Sequence, residues 1–388
     1  MKKLVCSQCK RVSETGQAAC PHCGASHPFT YDFSQSDRYL QQETRRVIEE
    51  RRHLGLEGLV GGLDCVIVNT EPEHQVAAVE ELLATTGLDI SQAFQDDEYV
   101  TYVLATPGSA DVLVRSRRQP RNPFWAFNDF PQSRRLPNTR LETLVFATPD
   151  LETYVSIQRS RGVHFLTPSL VRTDYYDFIQ TPPSPFTGNS LGFIEWKEER
   201  SYASHGAQPV DRRPSKPDRD HLDNIGALDH AATRVRAEDR DAAIIEFMGL
   251  TNYHFDFAIY VQVFNSITNV ARLTAGDYAM VFTSGISSYV NDEVSGPTEK
   301  FIHNYGPRVH HLAFRTRHIQ DTYASLRDQG MQFLIPLVGS PHEGLRQTFT
   351  HPSSYTLLVT EYIHRYGDFD GFFTRSNVTK LTGATTRQ

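Results

Sequence analysis

Three stretches in the second half of the chain carry the side-chain types that hold a divalent metal. His230 ends the run G-A-L-D-H, His310 and His311 sit in R-V-H-H-L-A-F, and Glu361 lies in V-T-E-Y-I-H-R. Each stands in or beside a short β-branched or aromatic run that reads as a strand, so two imidazoles and one carboxylate can converge from separate strands. Two neutral imidazoles and a carboxylate on one face of a metal leave open positions opposite. Non-haem iron(II) uses that arrangement to bind an organic substrate and dioxygen together.

A second candidate metal centre lies at the other end. Four of the five cysteines fall in the first 23 residues as two C-x-x-C pairs, Cys6 with Cys9 and Cys20 with Cys23, the second written C-P-H-C-G. Two tight cysteine turns brought together give tetrahedral thiolate coordination of zinc, expected in a reducing compartment in preference to a disulfide framework. All four ligands are spent on the metal, so this Zn(II) is structural, and His22 is expected to face solvent. Residues 1–30 read as a zinc ribbon, a module available to dock a protein partner.

The elements that position these groups come next. The 388 residues are long enough for two domains and an appendage, and 39% hydrophobic content fills a sizeable core. A formal charge of −7 argues against general nucleic-acid binding. No apolar run reaches membrane-spanning length, and M-K-K-L-V-C-S-Q-C is too polar for a signal peptide. A cytoplasmic protein with no membrane partner is expected. Residues 31–58 read as a charged connector helix, with Leu40, Val47, Ile48 and Leu54 on or near one face, Gly55 ending it and its arginines solvated. Between residues 115 and 140, seven arginines alternate with Phe124, Trp125, Phe127 and Phe130. In an acidic chain this reads as a loop packed on its own aromatics rather than a nucleic-acid surface.

From residue 63 one pattern recurs four times, opening with L-D-C-V-I-V, L-E-T-L-V-F-A-T, L-D-H-A-A-T and V-H-H-L-A-F-R-T. Residues 59–200 and 225–388 form two halves, separated by a polar, proline-bearing linker at 201–224. Laid on one another, the halves put Cys65 on His230, Thr143 on His311 and Glu195 on Glu361. The first half lacks the donor set and is expected to be metal-free, with Cys65 a small buried residue.

Residues 225–380 resemble the catalytic half of the 4-hydroxyphenylpyruvate dioxygenase family of the vicinal oxygen chelate superfamily. The resemblance rests on L-D-H at 228–230, E-K-F-I-H-N-Y-G-P-R-V-H-H-L-A at 299–313, G-L-R-Q-T-F-T at 344–350 and T-E-Y-I-H-R-Y-G at 360–367. Residues 63–200 resemble the family's degenerate half through the internal repeat. The resemblance implies an α+β fold of two halves, each of paired βαβββ modules, with Fe(II) on His230, His311 and Glu361. Neighbouring residues on a strand point to opposite faces, so one of His310 and His311 is a ligand. The family motif selects His311 and leaves His310 as a packed neighbour. The same resemblance puts Gln347 in the substrate pocket and Phe372 and Asn377 in a C-terminal closing segment.

Where the family has serine and asparagine on the substrate-facing strands, this chain has Thr268 and Thr283. The activity implied is oxidative decarboxylation of a 2-oxo acid by dioxygen with hydroxylation of the remainder, and the two threonines bear on the identity of that substrate more than on the metal. Two other readings stand beside it. An extradiol ring-cleaving dioxygenase would use His303, Tyr305 or Tyr355 as an acid-base group, and a scaffold protein would use the ribbon alone. The sequence leaves a homo-oligomer open.

Overall fold

The four openings of the repeat each lie in a strand at the middle of a sheet. The computed structural model describes residues 4–6, 12–13, 19–24, 29–31, 37–204, 206–367, 369 and 371–388. At the N-terminus β1 (Leu4–Cys6), β2 (Val12–Ser13) and β3 (Phe29–Tyr31) make a three-stranded sheet in the order β2-β1-β3. Cys20 is buried at the start of the turn between β2 and β3, and His22 and Cys23 are exposed. Cys9 and the side chain of Cys6 lie outside the described residues. Next comes α1 (Arg38–Leu54), closed by Gly55 at φ 77°, a left-handed conformation that glycine adopts without strain.

The first half runs β4 (Leu63–Thr70), α2 (Gln75–Thr85), β5 (Asp89–Gln95), β6 (Tyr99–Ala105) and β7 (Asp111–Arg117). Then follow β8 (Arg140–Ala147), α3 (Leu151–Ser160), β9 (Val171–Arg172), β10 (Tyr176–Gln180) and β11 (Ser190–Trp196). These are two βαβββ modules, joined where β4 pairs antiparallel with β8. With β12 (Gln208–Pro209) from the linker added to the edge at β5, the nine strands lie in the order β12-β5-β6-β7-β4-β8-β11-β10-β9.

The second half repeats the plan. It comprises β13 (Ile225–Arg234), α4 (Arg240–Leu250), β14 (His254–Val261), β15 (Ser266–Arg272), β16 (Ala279–Gly285), α5 (Pro297–Tyr305) and β17 (Arg308–Thr316). It continues with α6 (Ile319–Asp328), β18 (Val338–Ser340), β19 (Leu345–Phe349), β20 (Val359–Arg365) and α7 (Arg375–Ala384). Its strand order is β14-β15-β16-β13-β17-β20-β19-β18, so each central pair is flanked by parallel partners as in the first half. The fold is the expected α+β pair of halves built from βαβββ modules.

One apolar core runs through both halves. Phe146 of β8 packs edge-on against Phe247 of α4 and against Tyr253. The joint between β8 and β17 carries a reciprocal pair of buried guanidiniums. Arg140 donates to the Pro307 carbonyl at 3.0 Å, Arg308 donates to the Thr139 carbonyl at 2.8 Å, and both reach Asn128 Oδ1. Burial, and for Arg140 also the neighbouring Arg308, pushes both pKa values down.

Two sequence expectations change here. The arginines of α1 are not all solvated. Arg51 is buried and donates to the carbonyls of Met248, Thr251 and Tyr253 at 2.6–3.2 Å, because it caps the C-terminal end of α4, whose last carbonyls have no helical partner. Helix α1 is therefore docked on the second half by Arg51, with Leu40, Thr44 and Val47 buried and Leu54 37% exposed. The 115–140 segment does more than pack on itself: the Gln132 amide donates to the Asn304 carbonyl, so the loop ties the halves together, while Trp125 is 58% exposed.

Candidate metal centre

Register brings the three donors to one face of the second sheet. His230 on β13 lies opposite Ala313 on β17, and Ala232 lies opposite His311. Ala313 in turn pairs with Glu361 on β20. Residues opposite one another, or two apart on one strand, share a face, so His230, His311 and Glu361 all point to the concave side. Their ligand atoms lie within 4.8 Å of one another. Glu361 Oε2 is 3.1 Å from His230 Nε2 and 3.2 Å from His311 Nε2, and all three side chains are buried.

Two β-bulges explain what surrounds them. Between Leu228 and His230 the register against β17 slips, which leaves Asp229 as the extra residue of β13, and the slip between Ala232 and Thr233 leaves His310 as the extra residue of β17. A bulge re-aims the unpaired side chain, so strict alternation fails at both positions. Asp229 Oδ1 is 2.8 Å from His230 Nδ1, and His310 Nδ1 is 2.8 Å from His311 Nδ1. His310 is therefore not turned to the opposite face as expected; it lines the same cavity as His311. Sequence reasoning missed Asp229, although the repeated L-D pair was in view.

Electrostatics follow the geometry. Burial alone would raise the Glu361 carboxyl, but His230 and His311 outweigh it and bring it down to about 2. Burial disfavours a charged His230, yet the carboxylates of Glu361 and Asp229 outweigh that and raise its pKa. Burial lowers His311 despite Glu361, and lowers His310 further, with Arg234 and His311 adding to it. Asp229 is held well below the carboxylate range: burial opposes the charge, but His230 and Arg365 prevail. Arg365 donates to both its oxygens at 2.6 and 3.0 Å, and Arg315 adds a third bond at 3.0 Å.

The remaining predicted residues divide. Gln347 on β19 lines the cavity and donates to Glu361 Oε1 at 2.6 Å. Asn377 on α7 is buried and donates to Gln347 Oε1 at 3.0 Å, so it acts through Gln347 and lies outside the cavity wall. Its backbone amide is held by the N-cap hydroxyl of Thr374. Phe373 is on the wall; Phe372 packs edge-on against the His230 ring, with Arg365 over its own. Thr268 and Thr283, paired across β15 and β16, face the cavity with Ser266, Thr298 and Arg234. Arg234 is 4% exposed, and burial lowers its pKa to about 9. His303 is exposed and stacks on Tyr289, Tyr305 stacks on Phe301, and Tyr355 meets His74; none of the three lines the cavity.

The donor set fits a divalent metal. With the His230 proton on Nδ1 toward Asp229, its Nε2 lone pair faces Glu361 Oε2, and His311 presents Nε2 to the same point.

In the first half, Cys65 and Thr143 hold the positions of His230 and His311, with the same two slips in register. The partner of Glu361 is Gly192, which pairs with Val145 as Glu361 pairs with Ala313. Glu195 is thus not the counterpart of Glu361. Lining up the closing strands by composition misplaced it by three residues, which turns a side chain to the other face. Its carboxylate accepts the Leu151 amide at 2.8 Å, at the start of α3.

No protein-family model and no curated protein matches this chain. Solved structures do. A triple variant of 4-hydroxymandelate synthase from Streptomyces coelicolor is similar with a TM-score of 0.63 and 17% identity, covering 84% of this chain and 98% of that one. A xylose isomerase-like TIM barrel/4-hydroxyphenylpyruvate dioxygenase fusion protein gives a TM-score of 0.61 at 13% identity. That match covers 90% of this chain, which spans 57% of the fusion. At such identities the likeness establishes the fold: two halves of paired βαβββ modules, shared with 4-hydroxyphenylpyruvate dioxygenase-like structures.

Proposed function

We propose that the second half is a non-haem iron(II) dioxygenase acting on a 2-oxo acid. The observation that carries this reading is the convergence of His230, His311 and Glu361 beside a cavity of about 50 Å³. When bound, iron(II) supplies open coordination positions to a chelating substrate and dioxygen, together with the redox chemistry. Oxidative decarboxylation sends one oxygen atom of dioxygen into the new carboxylate and the other into a hydroxyl group, and releases carbon dioxide.

The protein's part is positioning. Asp229 fixes the proton of His230 on Nδ1, and Gln347 occupies Glu361 Oε1, so Glu361 offers Oε2 alone. His311 must likewise carry its proton on Nδ1 to bind metal through Nε2, and it then donates to His310 Nδ1. His310 in turn carries its proton on Nε2 and donates to Gln388 Oε1 at 2.9 Å. Arg234, whose second guanidinium nitrogen lies 3.0 Å from that same Nε2, is left facing an N–H instead of an acceptor. A buried guanidinium in the cavity wall then favours a 2-oxo acid whose tail ends in an anionic or strongly accepting group.

Anaerobic reconstitution with iron, followed by oxygen uptake across 2-oxo acids and catechols, tests the reading. One carbon dioxide per dioxygen, with 2-oxoglutarate preferred over 2-oxobutyrate, is expected. The absence of His303, Tyr305 and Tyr355 from the cavity wall speaks against the extradiol alternative. A ring-opened catechol product without carbon dioxide would establish that alternative instead.

A structural zinc at Cys6, Cys9, Cys20 and Cys23 belongs to the same proposal. The His22 amide donates to Cys20 Sγ at 3.4 Å, a bond that a cysteine turn holding a metal would keep. Replacing Cys6 and Cys9 by serine should remove zinc and leave iron content unchanged, measured by elemental analysis.

A further inference from the structure

A far larger cavity lies in the half without a metal donor set. The concave face of the first sheet encloses about 500 Å³, walled on one side by Ile67, Leu113, Val145, Phe178 and Ile194. Further along the same wall Arg115 and Arg117, which alternate with Leu113 on β7, point to the same face of the strand. The Tyr99 ring lies beside both guanidiniums, at 5.3 and 5.9 Å.

These cations are under-satisfied. The side chain of Arg117 is 5% exposed; one guanidinium nitrogen donates to Glu142 Oε2 at 2.7 Å, while its Nε and other terminal nitrogen are buried with no hydrogen-bond partner. Arg115 Nε is buried without one as well. Of the carboxylates nearby, Glu142 gives Oε2 to Arg117 and keeps a buried, unpartnered Oε1, Asp96 Oδ1 accepts the amides of Glu98 and Tyr99 at 2.8 Å, and Glu98 is exposed at the rim. Buried donors without acceptors are costly, and a carboxylate in the cavity would offer acceptors to the half-buried Arg115 guanidinium and a counter-charge to both cations. Burial pushes the Cys65 thiol far up, so it offers no competing anion.

Pseudo-symmetry supports a binding role. Arg115 pairs with Asn69 of β4 as Thr283 pairs with Arg234 of β13. The strand position that presents Thr283 to the cavity beside the metal donors thus presents Arg115 to the first cavity.

We propose that the first half binds a small organic monocarboxylate with an aromatic or branched apolar body, independently of metal. Arg115 holds the carboxylate with the Arg117 charge behind it, and Ile67, Leu113, Val145 and Phe178 receive the body.

Trp196 is a built-in reporter, since its ring packs on Tyr176 and Tyr202, both on the cavity wall. The chain has 2 tryptophans, and the other, Trp125, is silenced by Trp125→Phe. Full-length, metal-free Trp125→Phe protein is titrated with benzoate, hexanoate and inorganic phosphate. A saturable emission change with benzoate or hexanoate is expected, with a midpoint below about 10 mM and phosphate at least about tenfold weaker. Arg115→Met should raise the midpoint at least about tenfold. Leu113→Phe, which enlarges the apolar wall and leaves both arginines, should shift the midpoint by at least about threefold, and His311→Ala should not change it; thermal unfolding checks that each variant is folded. No saturable response to either acid overturns the proposal, as does an unchanged midpoint in folded Arg115→Met or Leu113→Phe. Phosphate binding as tightly as benzoate removes the organic ligand, and loss of the response in folded His311→Ala moves the ligand to the other half.

Discussion

Strand for strand, the two halves set equivalent residues at equivalent register, so what separates them is side chains on one scaffold. Cys65, Thr143 and Gly192 stand where His230, His311 and Glu361 stand. Even the bulges recur: Asp64 and Glu142 are the extra residues where the second half has Asp229 and His310. The neighbours have changed employment. Asp64 accepts from Trp196 Nε1 and the Tyr202 hydroxyl, and Glu142 pairs with Arg117. A fold that keeps its bulges thus keeps two polar groups beside the strand centre whether or not there is a metal for them to support.

The sharpest break in the comparison is at the carboxylate. Glu361→Gln leaves a neutral amide between two imidazoles and should cost more than the about 10–100-fold in metal affinity that outer partners contribute. Iron per chain after anaerobic dialysis measures it. Retention of iron would mean that His230 and His311 bind through some other group.

Next in size is the supporting carboxylate. Asp229→Asn should weaken iron binding by about 10–100-fold, because Asn can accept the hydrogen bond from His230 Nδ1 but carries no charge for Arg365 and Arg315. Asp64→Asn, at the matching bulge, should leave iron content untouched. Equal effects from the two would erase the difference between the halves.

These contrasts also mark what the sequence made legible. The repeated L-D and H-L openings carry the register of the central strands, so Cys65 and Thr143 could be matched to His230 and His311 from composition alone. The closing strands could not be matched so. An E-W-K ending and an E-Y-I ending look alike, but their glutamates differ by three positions, and an odd offset reverses the face. The role of Asp229 was hidden for a related reason: on a regular strand it would point away from His230, and a bulge leaves no compositional mark. The arginines of the first cavity were visible only as part of a basic stretch, since nothing in the chain says which of them share a face with Ile67 and Leu113.

Smaller again is the effect expected at Gly192. A Cβ there would lie 2.9–3.1 Å from Phe178, Val145 and Thr143, so the space that Glu361 fills in one half is filled by neighbours in the other. Gly192→Ala should destabilise by about 1–3 kcal/mol through overpacking, read as a lowered denaturant midpoint at unchanged slope. An unchanged midpoint would show room for a larger side chain at this position.

The least effect belongs to Glu195, and it is the most direct check on the register. Its carboxylate accepts the Leu151 amide at 2.8 Å beside Asp150, which caps α3 by accepting the Thr153 amide at 2.9 Å. A negative charge at a helix N-terminus is worth about 0.3–1 kcal/mol, and an amide oxygen can still accept the bond. Glu195→Gln should therefore shift stability by no more than about 1 kcal/mol and leave iron content unchanged, whereas Glu361→Gln removes the metal. Loss of iron in Glu195→Gln would place its carboxylate within reach of the donors on the far half, against a pairing that sets Glu195 beside Asp177 on the outer part of the first sheet.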